Sequence, residues 1–273
     1  MEAVSFRQIL SACRPTLRYW METEVHVYAF SIAANVLLSF FPFLIVSVSI
    51  ASALFHERSV VVAAIDFAMR DYFPDELGSF LSRNLPARRA PEALSIFLLL
   101  FTANGIFEPL EVALNRVWGI AKNRSFLRNQ LISLCLIFGC GGLALLSLIF
   151  GGLQQQSAQV VPAAAWVMSL LFKMASLPLV VLALFLVYKF LPNGPIPADR
   201  TLTAAIGIGV TLEVMKYLVR WLWPPMHRKL QGEYGPFVNS ATLILIAFLS
   251  ALLVLAGAEW AARGNRLDRE EAD

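Results

Sequence analysis

Two stretches of this chain run without charge for longer than a water-soluble fold tolerates. Val27–Phe55 covers 29 residues and Leu131–Phe172 covers 42, neither holding an Asp, Glu, Lys, Arg or His. About 18 apolar residues suffice to cross the hydrocarbon core of a bilayer. The composition agrees: 15% of the 273 residues are charged, against roughly 25% in soluble domains. A soluble surface of this size cannot be built from what remains, so the sequence reads as an all-α, polytopic transmembrane bundle.

Six spans are expected, at about 27–55, 93–116, 130–153, 163–190, 201–223 and 236–260. They form one membrane domain, 27–262, between a tail at 1–26 and a charged tail at 263–273. The first span exceeds a core of about 30 Å, so it tilts, kinks at Pro42 or extends outside. LPNGPIP after the fourth packs three prolines and an Asn-Gly pair into a tight loop. Apolar residues in the first twenty are scattered among Arg7, Arg14 and Arg18, which gives no signal-peptide core. The pattern fits either a helix lying on the membrane or a plain cytosolic tail helix. Region 56–92 reads as two short amphipathic helices across the outer face, or as a periplasmic loop.

Orientation follows the lysines and arginines of the connections. With the N-terminus inside, the cytoplasmic segments carry twelve and the outer ones eight; the 2–3 connection alone holds Arg116, Lys122, Arg124 and Arg128, and the 3–4 turn QQQSAQ none. Both termini are therefore expected in the cytoplasm. Small residues at Gly139, Gly141 and Gly142, and the pair Ala205 and Gly209, mark places where helices approach closely. Cys13, Cys135 and Cys140 have no paired spacing and read as apolar fillers.

The informative charges lie inside the spans. Thr201–Leu212 is twelve residues, about 18 Å of helix, which is too short to cross alone. A spanning helix therefore carries Glu213 into the bilayer, with Lys216 and Arg220 on the same face. The second span repeats this, with Glu108, Glu111 and Asn115 on one stripe. Ionisable groups at such depth face a bundle interior, water or a partner. Two readings stay open: a structural polar seam, including an i,i+3 pair between Glu213 and Lys216, and a solute or ion pathway through Glu108, Glu111, Asn115, Glu213 and Lys216. Three plus three spans place the second half upside down. Spans one and four then each carry a proline, Pro42 and Pro178, as inverted-repeat transporters do.

No metal-ligand spacing, phosphate loop, dinucleotide fingerprint or nucleophile elbow is present in the sequence. No cofactor, metal or nucleic-acid partner is expected, and enzymatic activity is not. AFSIAANVLLSFFPFL, LNRVWGIAKNRSF, YKFLPNGPIPADR and EYGPFVNSATLILIAFLSALLVLAGAEWAA resemble, in order, the landmarks of the YihY/BrkB family over roughly 20–262. The LPN turn and the Tyr234-Gly235 to Gly257-Ala258-Glu259 pattern carry most of that resemblance. The chain departs from it at Ala34 and Asn35, where the family usually has aromatics. The resemblance implies a six-span, multi-pass protein of the bacterial inner membrane, a candidate transporter. The ribonuclease label often attached to that family finds no support in these residues. The expected function is passage or handling of a small or amphiphilic solute. The alternative is a structural or lipid-handling envelope protein acting through partners. Membrane lipids, further copies of the chain or other envelope proteins are its expected contacts.

Overall fold

The computed structural model describes residues 14–55, 93–121, 124–125, 128–143, 146 and 165–272. The expectations for 56–92, for QQQSAQ and for Cys13 lie outside these residues. Helix α1 covers 14–20, α2 Thr23–Phe55, α3 Ala93–Val117, α4 128–143, α5 Ala165–Phe190, α6 Ala198–Tyr234 and α7 Val238–Ala272. A 3-10 turn, Gly235–Phe237, joins the last two. No strand occurs among the described residues. By length and apolar content, Thr23–Val46 and the stretch Ala198–Gly264 are each able to cross a membrane, and Leu177–Phe190 is a shorter apolar helix.

Local chemistry sets the ends of these helices. α3 closes on Gly119, whose φ of 69° lies in the left-handed region that glycine enters without a Cβ clash. Ile120 N–H then reaches the Asn115 carbonyl at 2.8 Å and Gly119 N–H the Arg116 carbonyl at 3.1 Å. This reversed cap satisfies the last orphan carbonyls and folds the chain back over α3. α5 stops just before Pro192, because a proline bars helical geometry at the residue ahead of it. α2 is one helix with Pro42 inside it. α6 does not end near Trp223 but passes through Pro224 and Pro225 to Tyr234. Its 37 residues measure about 55 Å, well beyond a hydrocarbon core of about 30 Å. The carbonyls that the two prolines leave without donors lie toward that far end, where Trp221, Pro224 and Pro225 are exposed.

α2 packs chiefly on α3 and α7, and α6 on α5 and α7. The contiguous core draws on one end of each helix: Val25, Ala29 and Ile32 from the start of α2, Phe107 to Leu114 from the end of α3, Leu184 to Tyr188 from the end of α5, Ala204 and Ala205 from the start of α6, and Ala251 to Ala261 from the end of α7. Starts meet ends where α2 packs on α3 and α6 on α5, so each of these pairs is antiparallel. Small residues allow the closest approaches. At Gly209 a Cβ would stand 2.9 Å from Val181 on α5, and at Gly257 it would stand 2.3 Å from Ile208 on α6. On α6, beyond Gly209, only Trp223 is buried. α6 is thus packed tightly at its start, the tight end of the bundle beside the LPN turn, and more openly beyond.

Candidate functional site

The polar residues of the tight end form a knot around the LPN turn. On α3, Glu111 is 3% exposed and Asn115 1%. Asn115 Nδ2 donates to Glu111 Oε1 at 3.5 Å, and Asn115 Oδ1 accepts the Asn193 main-chain N–H at 2.7 Å. Arg124, in the connection after the Gly119 cap, completes it. Its guanidinium donates to the carbonyls of Phe190 (3.0 Å), Leu191 (2.7 Å) and Pro192 (2.7 Å), and to Asn193 Oδ1 (3.2 Å). The final carbonyls of a helix lack internal donors and carry the negative end of its dipole, so a planar cation with five donors suits them. Burial pulls the Arg124 guanidinium below its usual range, and the Glu111 carboxylate opposes that shift. Glu111 thus partly offsets the cost of burying the charge of this clamp.

A second polar group ties α1 to the end of α7. Thr16 Oγ1 donates to Glu259 Oε2 at 2.6 Å, Arg263 Nε lies 3.6 Å from Glu259 Oε1, and Arg263 Nη2 donates to Thr16 Oγ1 at 3.2 Å. Trp20 Nε1 donates to the Leu252 carbonyl at 3.0 Å. Burial, followed by the nearby Glu22 and Glu259 carboxylates, pushes the Tyr19 phenol up. α1 is therefore docked on the bundle rather than being a loose tail.

The five residues singled out from the sequence fall into separate groups. Glu111 and Asn115 join the knot, while Glu108, three residues earlier, is exposed. Glu213 and Lys216 meet each other at 2.7 Å, with the lysine side chain 8% and the glutamate 30% exposed. They do so on α6, whose main packing is with α5 and α7, whereas that of α3 is with α2. Sequence reasoning passed over Arg124, Asn193 and Glu259 as site residues. The signals were present: Arg124 stood in the most basic connection, and Asn193 and Glu259 stood in the LPN and GAE motifs. Among the described residues no three His, Cys, Asp or Glu side chains gather as a metal would require.

All three overlooked residues lie within the reach of one sequence family. A family model described as virulence factor BrkB matches residues 16–273. This chain belongs to the BrkB family of membrane proteins. It is similar to a UPF0761 membrane protein of Laribacter hongkongensis (strain HLHK9), 27% identical over 257 residues, covering 89% of this chain and 58% of that one. A UPF0761 membrane protein of Neisseria meningitidis serogroup B is 24% identical over 259 residues, covering 89% of this chain and 60% of its own length. The chain thus spans about three-fifths of the curated BrkB-like relatives it matches. No solved structure matches it.

Proposed function

We propose that this BrkB-family chain spans the bacterial inner membrane six times, with its tight end in the cytoplasm, and passes or handles a small amphiphilic solute through its interior. One observation carries the reading. A cavity of about 300 Å³ lies between α2, α3 and α7, walled by Val36, Phe40, Leu110, Leu243 and Ile246, with Ser250 as a polar exception. Its Leu110 wall directly precedes the buried Glu111 of the polar knot. An apolar chamber of this size suits the greasy body of a small amphiphile. Concave sites between the helices of a bundle are common places for small molecules to bind. The closed Glu213–Lys216 pair favours a structural seam on α6, separate from that chamber. No enzymatic role is proposed.

Flux across proteoliposomes tests the function. Wild-type protein should speed the transbilayer movement of at least one fluorescent single-chain amphiphile over protein-free vesicles. Val36→Trp, which fills the chamber, should return the rate to background. The double variant Glu213→Leu, Lys216→Leu should move the tracer like wild type, because replacing an ion pair by apolar residues is often neutral. Failure of every amphiphile in the panel would sink the reading, and loss of flux in the double variant would move the pathway to α6. Sidedness has its own test. A single cysteine at Ser125 in a cysteine-free background should resist an impermeant maleimide added to intact spheroplasts, and rapid labelling there would reverse the orientation.

A further inference from the structure

The side of α6 turned from the core is apolar, with Leu202, Ile206, Val210 and Val214 exposed. In a membrane protein such a face meets acyl chains. Beside it lies a groove of about 480 Å³ between α1, α6 and α7. Thr203, Gly207 and Thr211 repeat every four residues along its floor, and Trp20 and Trp260 wall it. That volume falls within the range of roughly 300–1,000 Å³ typical of ligand sites. The small floor residues leave real space: a Cβ at Gly207 would meet nothing within 4 Å.

One end of the groove is cationic. Arg200 lies one turn before Thr203, and its guanidinium reaches across to α7, where a Cβ on Gly264, one turn past Trp260, would stand 2.9 Å from Nη1. On α1, exposed Arg18 follows Leu17, itself part of the wall. Indoles beside arginines mark the headgroup level of a bilayer. A guanidinium has five donors, enough to take a phosphate in addition to an intramolecular partner. Small residues at four-residue spacing also occur where two helices cross. Here the arginines near the groove favour an anionic headgroup over a second helix.

We propose that this groove holds one acyl chain of an anionic phospholipid, with the phosphate drawn to Arg200 and Arg18. The site depends on the chain being a membrane protein and not on what its interior passes. Native mass spectrometry of the detergent-solubilised protein, titrated with dioleoyl phosphatidylglycerol or dioleoyl phosphatidylcholine, tests it. Wild type should retain one phosphatidylglycerol per chain at concentrations where phosphatidylcholine is not retained. Arg200→Gln should weaken phosphatidylglycerol retention about fivefold, the effect of one cation near a lipid headgroup. Gly207→Trp should abolish it, whereas Val214→Trp, on the same helix but outside the groove, should not. Gly207→Leu serves the same purpose should the tryptophan variant fail to insert. Equal retention of the two lipids by wild type, or unchanged retention in both Gly207 variants, overturns the proposal. A dimer that Gly207→Trp dissociates would overturn it in favour of a second copy of the chain.

Discussion

Arg124→Ala should lower the thermal unfolding midpoint of the detergent-solubilised protein by about 6–12 °C, the equivalent of about 3 kcal/mol for a chain of this size. The alanine removes one side chain and four acceptors lose their donor: the carbonyls of Phe190, Leu191 and Pro192, and Asn193 Oδ1. Hydrogen bonds to charged groups contribute about 1.5–3 kcal/mol each. They are not additive around one cation, and part of this one is open to solvent, so the sum is set near two full bonds. Leu191 is completely buried, so no water replaces the lost donor at its carbonyl without a rearrangement. Glu111 also loses its counter-charge. Arg124→Lys should recover less than half of the loss, because an ammonium cannot fan over three successive carbonyls. Fluorescence-detected size exclusion across a heating series measures both variants. A midpoint within 2 °C of wild type for Arg124→Ala would show that the clamp is ornamental.

Gly257→Leu should yield no monodisperse protein, and Gly257→Ala should already cost about 1–3 kcal/mol, the usual range for overpacking. A Cβ at this position would stand 2.3 Å from Ile208 Cγ1 and 2.7 Å from the Tyr188 hydroxyl. Both neighbours are fixed. Tyr188 is 1% exposed, and its hydroxyl donates to the Val254 carbonyl at 2.7 Å, on the preceding turn of the same helix as Gly257. Any side chain here pushes α5 and α6 off α7 together. Gly207→Ala is the matched control: the same substitution, one helix away, into open space. It should be neutral or mildly stabilising through the better helix propensity of alanine. Equal yield and melting behaviour for the two alanine variants would refute the close-packing account.

Helices were legible among the described residues because apolar length and breaker residues report on each segment alone. The 25-residue α3 begins and ends within a residue of the expected span, between a polar stretch and a glycine turn. The stripe of Glu111 and Asn115 was legible for the same reason, since 3.6-residue periodicity is local. What was not legible is contact across distance. Arg124 read as one of several positive charges facing the cytoplasm, and nothing around it in sequence tells that it caps a helix 66 to 69 residues away. The length of α6 beyond residue 223 was not legible either. The rule that proline ends a helix rests on its missing N–H and its clash with the preceding turn. Where Pro224 and Pro225 sit, the neighbouring surface is open and the helix continues as far as Gly235.

The bond between Thr16 and Glu259 joins residues 243 apart in sequence. Ribosomes deliver a chain in order, so α1 emerges well before α7, the helix that holds it. Its partners, Leu252, Glu259 and Arg263, all belong to the final helix. During synthesis α1 is therefore an exposed amphipathic segment, and it becomes shielded only when α7 arrives. A chain stalled before residue 259 leaves that segment uncovered. The latch is thus a contact that closes late, because it waits for α7 whatever the order in which the other helices pack.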